Sequence, residues 1–184
     1  MLIIDNYDSF TYNIVQYIKI LGINPIVITN DEMDLEGIKK LNFSHIILSP
    51  GWGNPDNSGV TMDVIDYYKD LKPILGVCLG MQCIAKYFGA DIIKAPEPCH
   101  GKNSQIFFDK GFKLFKDLDQ GFEATRYHSL MITNPSDAIQ ITATTDDNIP
   151  MALKIANKNI YGVQFHPEAI LTANGIKIFE NFLK

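Results

Sequence analysis

The chain has 184 residues, of which 46% are hydrophobic and 20% are charged, a composition typical of a globular protein rather than a disordered one. Its 16 Lys and Arg against 21 Asp and Glu give a formal net charge of −5 without a basic cluster, which argues against a nucleic-acid partner. No apolar run approaches the roughly 18 residues of a membrane-spanning helix. The length fits one domain, residues 1–184.

Cysteine usage and the first residues bear on the cellular compartment. The three cysteines are an odd number without the paired spacing of a disulfide framework, as expected in a reducing cytoplasm. The start, Met1–Asp5, carries an acid where a secretory signal would carry basic residues, so we do not expect export. No spacing of cysteine and histidine indicates a metal site. We therefore expect a cytoplasmic protein.

In the first half of the chain, short apolar runs alternate with stretches of helical periodicity. The runs predict strands buried on both faces at Leu2–Ile4, Ile26–Ile28, Ile46–Leu48 and Ile74–Val77. The helical spacing predicts helices around Ile14–Leu21, Leu35–Leu41 and Val64–Leu71. Asp8 or Ser9 is available to cap the first helix, and Gly22 to end it. This alternation predicts an α/β fold, an open and mostly parallel sheet with helices on both faces.

The second half has a different pattern. Short strands joined by turns are predicted at Gln105–Phe108, Glu123–Ser129, Ala138–Ala143, Met151–Ile155 and Ile160–Phe165. They suggest an antiparallel extension of the sheet, followed by a closing helix at Ala173–Leu183. The proline-rich stretch Ala95–Pro98 is predicted to be a loop that could act as a hinge.

The predicted strand Ile74–Val77 leads directly into a helical stretch with Cys78 at the turn. The pattern Gly76-x-Cys78-x-Gly80 is the cysteine version of a nucleophile elbow, in which the glycines permit a tight turn at the carboxyl end of the sheet. The helix N-terminus there favours a thiolate, and the backbone N–H of Leu79 could stabilise an oxyanion. A buried structural cysteine is the alternative, but the flanking glycines favour a nucleophile.

Two further features belong to the same predicted edge of the sheet. Gln82 lies four residues after Cys78 and therefore on its side of the helix, where it either binds substrate or faces solvent; spacing alone leaves both open. Cys83 is expected to pack in the core. The loop Ser49–Pro55 contains two glycines whose N–H groups could complete an oxyanion hole, although a plain turn fits the local sequence equally well.

A thiolate nucleophile needs a base, and the strongest of the four histidines is His166, in His166-Pro167-Glu168. Pro167 favours an extended His166, and in an extended chain the imidazole and the Glu168 carboxylate would point the same way. Glu168 could then orient the ring, as the third member of a triad does. A surface histidine beside a surface glutamate is the alternative. His45 is expected to be structural.

Together these pieces resemble the class I glutamine amidotransferase family, whose members use a Cys-His-Glu triad. The resemblance covers essentially the whole chain and is closest to the subunits that serve chorismate enzymes. It is carried by five motifs in order, which are Asp5–Asn13, Gly76–Gln82, His100–Lys102, Arg126–Leu130 and Gly162–Glu168.

The resemblance implies a flavodoxin-like fold and a function for each site residue. Cys78 would be the nucleophile, His166 the base and Glu168 its orienting partner. The resemblance assigns L-glutamine and its oxyanion to a second group of residues: Gly51, Trp52, Gly53, Leu79, Gln82, Ser129 and Leu130. It also implies ammonia transfer to a chorismate-binding synthase subunit that holds Mg²⁺, with no cofactor in this chain. It assigns His128 no chemistry and places His100–Lys102 in a loop near that partner.

The product is less specified than the site. The resemblance favours a subunit that serves anthranilate formation. The alternative is the amidotransferase subunit of aminodeoxychorismate synthase, or a subunit that serves both routes. A stand-alone thiol hydrolase acting on γ-glutamyl substrates is another, against which the opening Asp5–Asn13 argues. The chain departs from many relatives at Trp52, Met81 and Ala169, none of which is a triad member.

Overall fold

The computed structural model describes all residues, 1–184, as one nine-stranded sheet flanked by helices. The strands are β1 (Leu2–Asn6), β2 (Ile26–Thr29), β3 (Ile46–Gly51), β4 (Ile74–Val77), β5 (Asp91–Phe108), β6 (Phe122–Thr133), β7 (Ile139–Thr144), β8 (Pro150–Ile155) and β9 (Ile160–Val163). The helices are α1 (Thr11–Ile20), α2 (Leu35–Ile38), α3 (Thr61–Tyr68), α4 (Leu79–Tyr87) and α5 (Ile176–Leu183). The spatial strand order is β2-β1-β3-β4-β9-β8-β7-β5-β6.

The predicted α/β architecture is confirmed. Strands β2, β1, β3, β4 and β9 pair in parallel, and β8, β7, β5 and β6 continue the sheet with antiparallel pairing. Strand β9 corrects the prediction in part, because it forms the expected antiparallel pair with β8 but also a parallel pair with β4. Its brief, fully buried sequence Ile160–Val163 has the continuous apolar character of the other central strands.

Two apolar layers cover the faces of the sheet. On one face, α1 and α5 pack on residues such as Ile3, Leu75 and Val163. On the other, α3 and α4 pack on Leu2, Leu48 and others. Alternate residues of one strand, as in Leu2 and Ile3, therefore enter opposite layers, which explains why these strands are apolar throughout.

Several predicted boundaries shift. Helix α1 begins at Thr11, and Asp8 accepts a hydrogen bond from the Phe10 backbone N–H (2.8 Å) without being the N-cap. Helix α2 is only one turn, and α5 begins at Ile176. Gly22 follows α1 with a φ of +84°, as a residue that ends a helix does. None of the helices is both long and apolar enough to cross a membrane.

The prediction of a loop at Ala95–Pro98 is wrong, because these residues lie within β5, opposite β6. The ladder between the two strands breaks between Lys94 and Cys99, and the prolines occupy that break, where no ladder N–H is needed. His100–Lys102 is likewise in β5 rather than in a loop. Gly101, with a φ of +71°, forms a bulge there.

Candidate active site

Cys78 lies between β4 and α4 with a backbone conformation that is rare for any residue with a side chain. Its φ is 51° and its ψ is −104°, and its N–H donates to the Val163 carbonyl (2.8 Å). A Cβ on Gly76 would lie 2.4 Å from the carbonyl carbon of Gly80, and one on Gly80 would lie 2.3 Å from the carbonyl oxygen of Leu48. Both positions therefore require glycine, as the elbow pattern predicted.

The loop after β3 lies against the start of α4. A Cβ on Gly51 would meet the Asn6 carbonyl oxygen at 2.4 Å and the Leu79 side chain at 2.9 Å, so the loop can approach this closely only without a side chain. Leu79 is the first residue of α4, and its N–H has no carbonyl partner within the helix. Gly53 has a φ of +84°, and Trp52 between the glycines is 80% exposed at the rim.

A buried asparagine anchors this loop. The backbone N–H of Asn6 donates to the Ser49 hydroxyl (2.8 Å), and its side-chain amide donates to the Ser49 carbonyl (3.0 Å). Its amide oxygen accepts hydrogen bonds from Asn30 (3.1 Å) and Thr61 (2.9 Å). Because each polar group of the Asn6 side chain is satisfied in the interior, the ends of β1 and β3 are held in one arrangement.

His166 and Glu168 form a buried pair. The ring Nδ1 lies 2.6 Å from Glu168 Oε1, and the two side chains are 2% and 0% exposed. The backbone of His166 is fixed by Thr125, whose carbonyl accepts its N–H (2.9 Å), and by the Thr172 hydroxyl, which donates to its carbonyl (2.7 Å). The chain is not extended beyond His166 as predicted: it turns, and Ala169 N–H donates to the His166 carbonyl (3.2 Å).

The charge state of His166 is set by two opposing effects. Burial by itself would lower the pKa of the imidazole, but the negative charges of Glu168 and Cys78, together with the hydrogen bond to Glu168, outweigh it and raise the pKa well above 6.5. The other ring nitrogen, Nε2, lies on the side away from Glu168 and makes no hydrogen bond, so it is available to exchange a proton with a reacting group. The raised pKa favours the imidazolium form of His166.

Two aromatic rings enclose the imidazole. Tyr127 meets His166 edge to face with centroids 5.2 Å apart, and Phe10 does so at 6.0 Å. Phe10 and Tyr127 also contact each other, at 5.3 Å. These rings explain why a histidine at the edge of a cleft is only 2% exposed.

A hydrogen-bonded chain of amides lies on the other side of the nucleophile. Gln164, fully buried, donates from Nε2 to Cys78 Sγ (3.5 Å) and accepts at Oε1 from Gln82 Nε2 (3.0 Å). Gln82 Nε2 also approaches the Leu130 carbonyl (3.4 Å). Gln82 is 3% exposed, which excludes a solvated helix face.

The residue before the Ser129–Leu130 segment is also buried. His128 lies with Nδ1 2.8 Å from the Leu130 carbonyl, and its Nε2 accepts from Arg126 Nε (3.0 Å). Burial, together with the charge of Arg126, lowers the pKa of His128 to about 4, so its ring is neutral and supports the Leu130 carbonyl as a donor. On the exposed side, His100 Nε2 lies 2.9 Å from the Ser129 hydroxyl.

These elements enclose one cleft of about 420 Å³. Of the ten predicted site residues, nine line it, and they come from the ends of β3, β4 and β9, from α4 and from β6: Gly51, Trp52, Gly53, Cys78, Leu79, Gln82, Ser129, Leu130 and His166. Glu168 is the exception because it lies behind the imidazole. The cleft thus places a thiol, a histidine and a helix N-terminus around one small space, an arrangement suited to acyl transfer.

Comparison with known proteins identifies the family. The family model described as "Glutamine amidotransferase class-I" matches residues 2–184, and the chain therefore belongs to this family. The family inferred from the motifs is confirmed.

Individual relatives and a solved structure agree with this assignment. "Anthranilate synthase component 2" of Cyanophora paradoxa is 48% identical over 186 residues, covering 100% of this chain and 97% of that protein. "Anthranilate synthase beta subunit 1, chloroplastic" of Arabidopsis thaliana is 44% identical over 191 residues, covering 100% of this chain and 69% of that protein. The crystal structure of a putative GMP synthase component from Thermoplasma acidophilum superposes with a TM-score of 0.87 at 27% identity, covering 99% of this chain and 90% of that one.

The structure adds residues that the sequence argument did not assign to the site. Gln164 contacts the sulfur, and Phe10 and Tyr127 enclose the imidazole. A signal for Gln164 was present, because it is a polar residue between the apolar Val163 and Phe165 in the predicted strand Ile160–Phe165. No comparable signal marked the aromatic pair, since their meeting depends on how β6 approaches the end of β9.

Proposed function

We propose that this chain hydrolyses L-glutamine and passes the ammonia to a chorismate-binding synthase subunit that makes anthranilate. The observation that carries the proposal is the buried His166–Glu168 pair, with Nδ1 2.6 Å from the carboxylate, in one cleft with the strained Cys78. Family membership supports glutamine as the substrate. The names of the relatives support the anthranilate route over aminodeoxychorismate.

In the first half of the reaction, the Cys78 sulfur attacks the side-chain amide carbon of glutamine. His166 holds the thiol proton and delivers it to the departing nitrogen, so that ammonia leaves and a γ-glutamyl thioester remains on Cys78. The negative oxygen of the tetrahedral intermediate accepts hydrogen bonds from the N–H of Leu79 and from the Gly51–Gly53 loop. In the second half, His166 activates water, which releases glutamate and restores the thiol.

The amino acid end of glutamine is assigned to the opposite part of the cleft. Both N–H groups of Gln82 are directed to protein acceptors, so Gln82 would meet substrate through its amide oxygen, which suits an α-ammonium group. Ser129 and Leu130 would bind beside it. We propose that this chain contributes no cofactor and that Mg²⁺ acts in the synthase subunit.

The test compares glutamine and ammonia as nitrogen donors in the assembled complex. Cys78→Ala should abolish glutamine-dependent anthranilate formation while activity with added ammonium salts stays near the wild-type level. Cys83→Ala is the matched control, since Cys83 is fully buried outside the cleft and should leave both activities in place. Glutamine-dependent activity in Cys78→Ala would disprove the nucleophile assignment. Formation of aminodeoxychorismate without anthranilate by the wild-type complex would disprove the anthranilate route.

A further inference from the structure

We propose that Gln164 is a further catalytic residue, whose side-chain amide donates a hydrogen bond to the reacting sulfur of Cys78 and holds it for attack. This inference rests on the proposed function, because it concerns the same nucleophile. Gln164 has no exposed surface and does not line the cleft, so it reaches the sulfur from inside the protein and touches no substrate. Its Nε2 lies 3.5 Å from Sγ, within the range of hydrogen bonds to sulfur.

The orientation of the amide follows from its partners. A backbone carbonyl can only accept, so the Leu130 carbonyl requires that Gln82 present its NH₂ group in that direction. The same NH₂ group meets Gln164 at 3.0 Å, which requires the oxygen of Gln164 there. The remaining NH₂ group of Gln164 must then face Sγ. The sulfur therefore meets the Gln164 amide as a donor, and it also lies 4.0 Å from the Tyr127 carbonyl, which can accept the thiol proton.

The Leu130 carbonyl is itself held in place. It accepts from His128 Nδ1 (2.8 Å), and His128 is fixed by Arg126 Nε (3.0 Å). A continuous series of hydrogen bonds thus leads from a buried guanidinium to the nucleophile. Each member is satisfied by the next, which is the condition under which buried polar networks are rigid.

The sulfur needs such a donor because Cys78 is only 6% exposed and water solvates it poorly. His166 and the start of α4 supply positive potential from the cleft side, and Glu168 balances the imidazolium. The amide of Gln164 supplies the hydrogen bond from the core side. Removing this hydrogen bond should leave the sulfur less firmly held for attack.

The experiment measures the sulfur without requiring glutamine. Iodoacetamide alkylates Cys78 by displacement of iodide, and its rate is followed by mass spectrometry of the Cys78 peptide in the full chain. Gln164→Met keeps the volume and removes the donor. We expect alkylation at neutral pH to slow by about tenfold, the scale of a hydrogen bond to a charged group.

Steady-state kinetics of the assembled complex separate this function from a purely structural one. Gln164→Met should lower kcat for glutamine by about tenfold, with kcat calculated per enzyme molecule whose Cys78 can be alkylated. KM should stay within about threefold, because Gln164 does not touch substrate. Gln82→Met should raise KM, because Gln82 lines the cleft, and should lower kcat by less than Gln164→Met, because it removes only the partner that orients Gln164. Gln140→Met, on the exposed side of β7, is the matched control and should change neither.

Three outcomes would overturn the proposal: alkylation and kcat both within twofold of the wild type, an effect confined to KM, or full reproduction of the effect by Gln82→Met. If Gln164→Met does not fold, Gln164→Asn keeps the amide but withdraws it by one methylene group and should slow alkylation in the same way. Failure of the wild-type complex to use glutamine would disprove the proposed function, whereas the alkylation rates would still decide the contact between Gln164 and Cys78.

Discussion

Replacing Glu168 with glutamine would remove the negative charge beside the His166 ring while almost preserving shape. The carboxylate oxygen lies 2.6 Å from Nδ1, and both side chains are buried. Taking the charge centres as roughly 4 Å apart and an effective dielectric constant of about 20, the attraction is roughly 4 kcal/mol. Exchanging a charged hydrogen bond for a neutral one gives a lower limit of about 1 kcal/mol. The expected loss in kcat is therefore about 5- to 1,000-fold.

The amide of the substituted glutamine could take two orientations beside the His166 ring. Glu168 Oε2 is buried without a hydrogen-bond partner. A glutamine whose oxygen faces Nδ1 would place its NH₂ group at this position, exchanging one unpartnered group for another, and would lack the negative charge beside the ring. The opposite orientation would donate to Nδ1 and move the ring proton to Nε2, so that His166 could not accept the thiol proton. Either orientation impairs the reaction.

The assay is glutamine-dependent release of glutamate by the assembled complex, with ammonia-dependent product formation as the internal control. Urea unfolding of the variant measures the cost to stability separately. A kcat within about threefold of the wild type, with folding intact, would refute the argument that the Glu168 charge supports the imidazolium. Loss of ammonia-dependent activity as well would show damage beyond this site.

Two further predictions concern stability. The pKa of His128 is about 4 in the folded chain, whereas in the unfolded chain the ring takes up a proton near pH 6.5. The free energy of unfolding should therefore fall as the pH drops from about 6.5 to about 4, by up to roughly 3 kcal/mol. Urea titrations should show a shallower acid loss in His128→Gln, and an unchanged slope would contradict this. Gly80→Ala should lower Tm by more than about 5 °C, because its Cβ would lie 2.3 Å from the Leu48 carbonyl oxygen, whereas Gly37→Ala in α2 should not.

The part of the fold that local sequence determines was predictable. The first four parallel strands are short apolar runs, and their residues enter both layers of the core, as the absence of alternation indicated. Strand β9 has the same composition, but its place beside β4 depends on pairing between residues more than 80 positions apart, such as Gly76 with Gly162. Prolines at 96 and 98 predicted a loop because sequence does not reveal a ladder interrupted at that point.

The candidate site was predictable for a different reason. The turn at Cys78 is determined by residues that are close in sequence, so Gly76, Cys78 and Gly80 could be interpreted from the steric requirements of a tight turn. The pairing of His166 with Glu168 was inferred from an extended chain, whereas the structure achieves it through a turn that Thr125 and Thr172 hold in place. The residues that escaped prediction, among them Gln164, act through contacts between distant segments, which have no local pattern.

The geometry of the site depends on the register of two central strands. Strand β4 ends at Val77, which pairs with Val163 at the end of β9, so Cys78 and His166 leave neighbouring strands at the same edge of the sheet. The antiparallel strands β5 to β8 lie between β4 and β9 in the chain, and their pairing returns β9 to its place. A slip of one residue would displace His166 by about 3.3 Å along the strand and turn the side chains of β9 to the opposite face. Such a shift would carry the imidazole out of hydrogen-bond reach of the thiol. The antiparallel extension holds few of the site residues, but it thereby sets the distance across which the thiol proton is transferred.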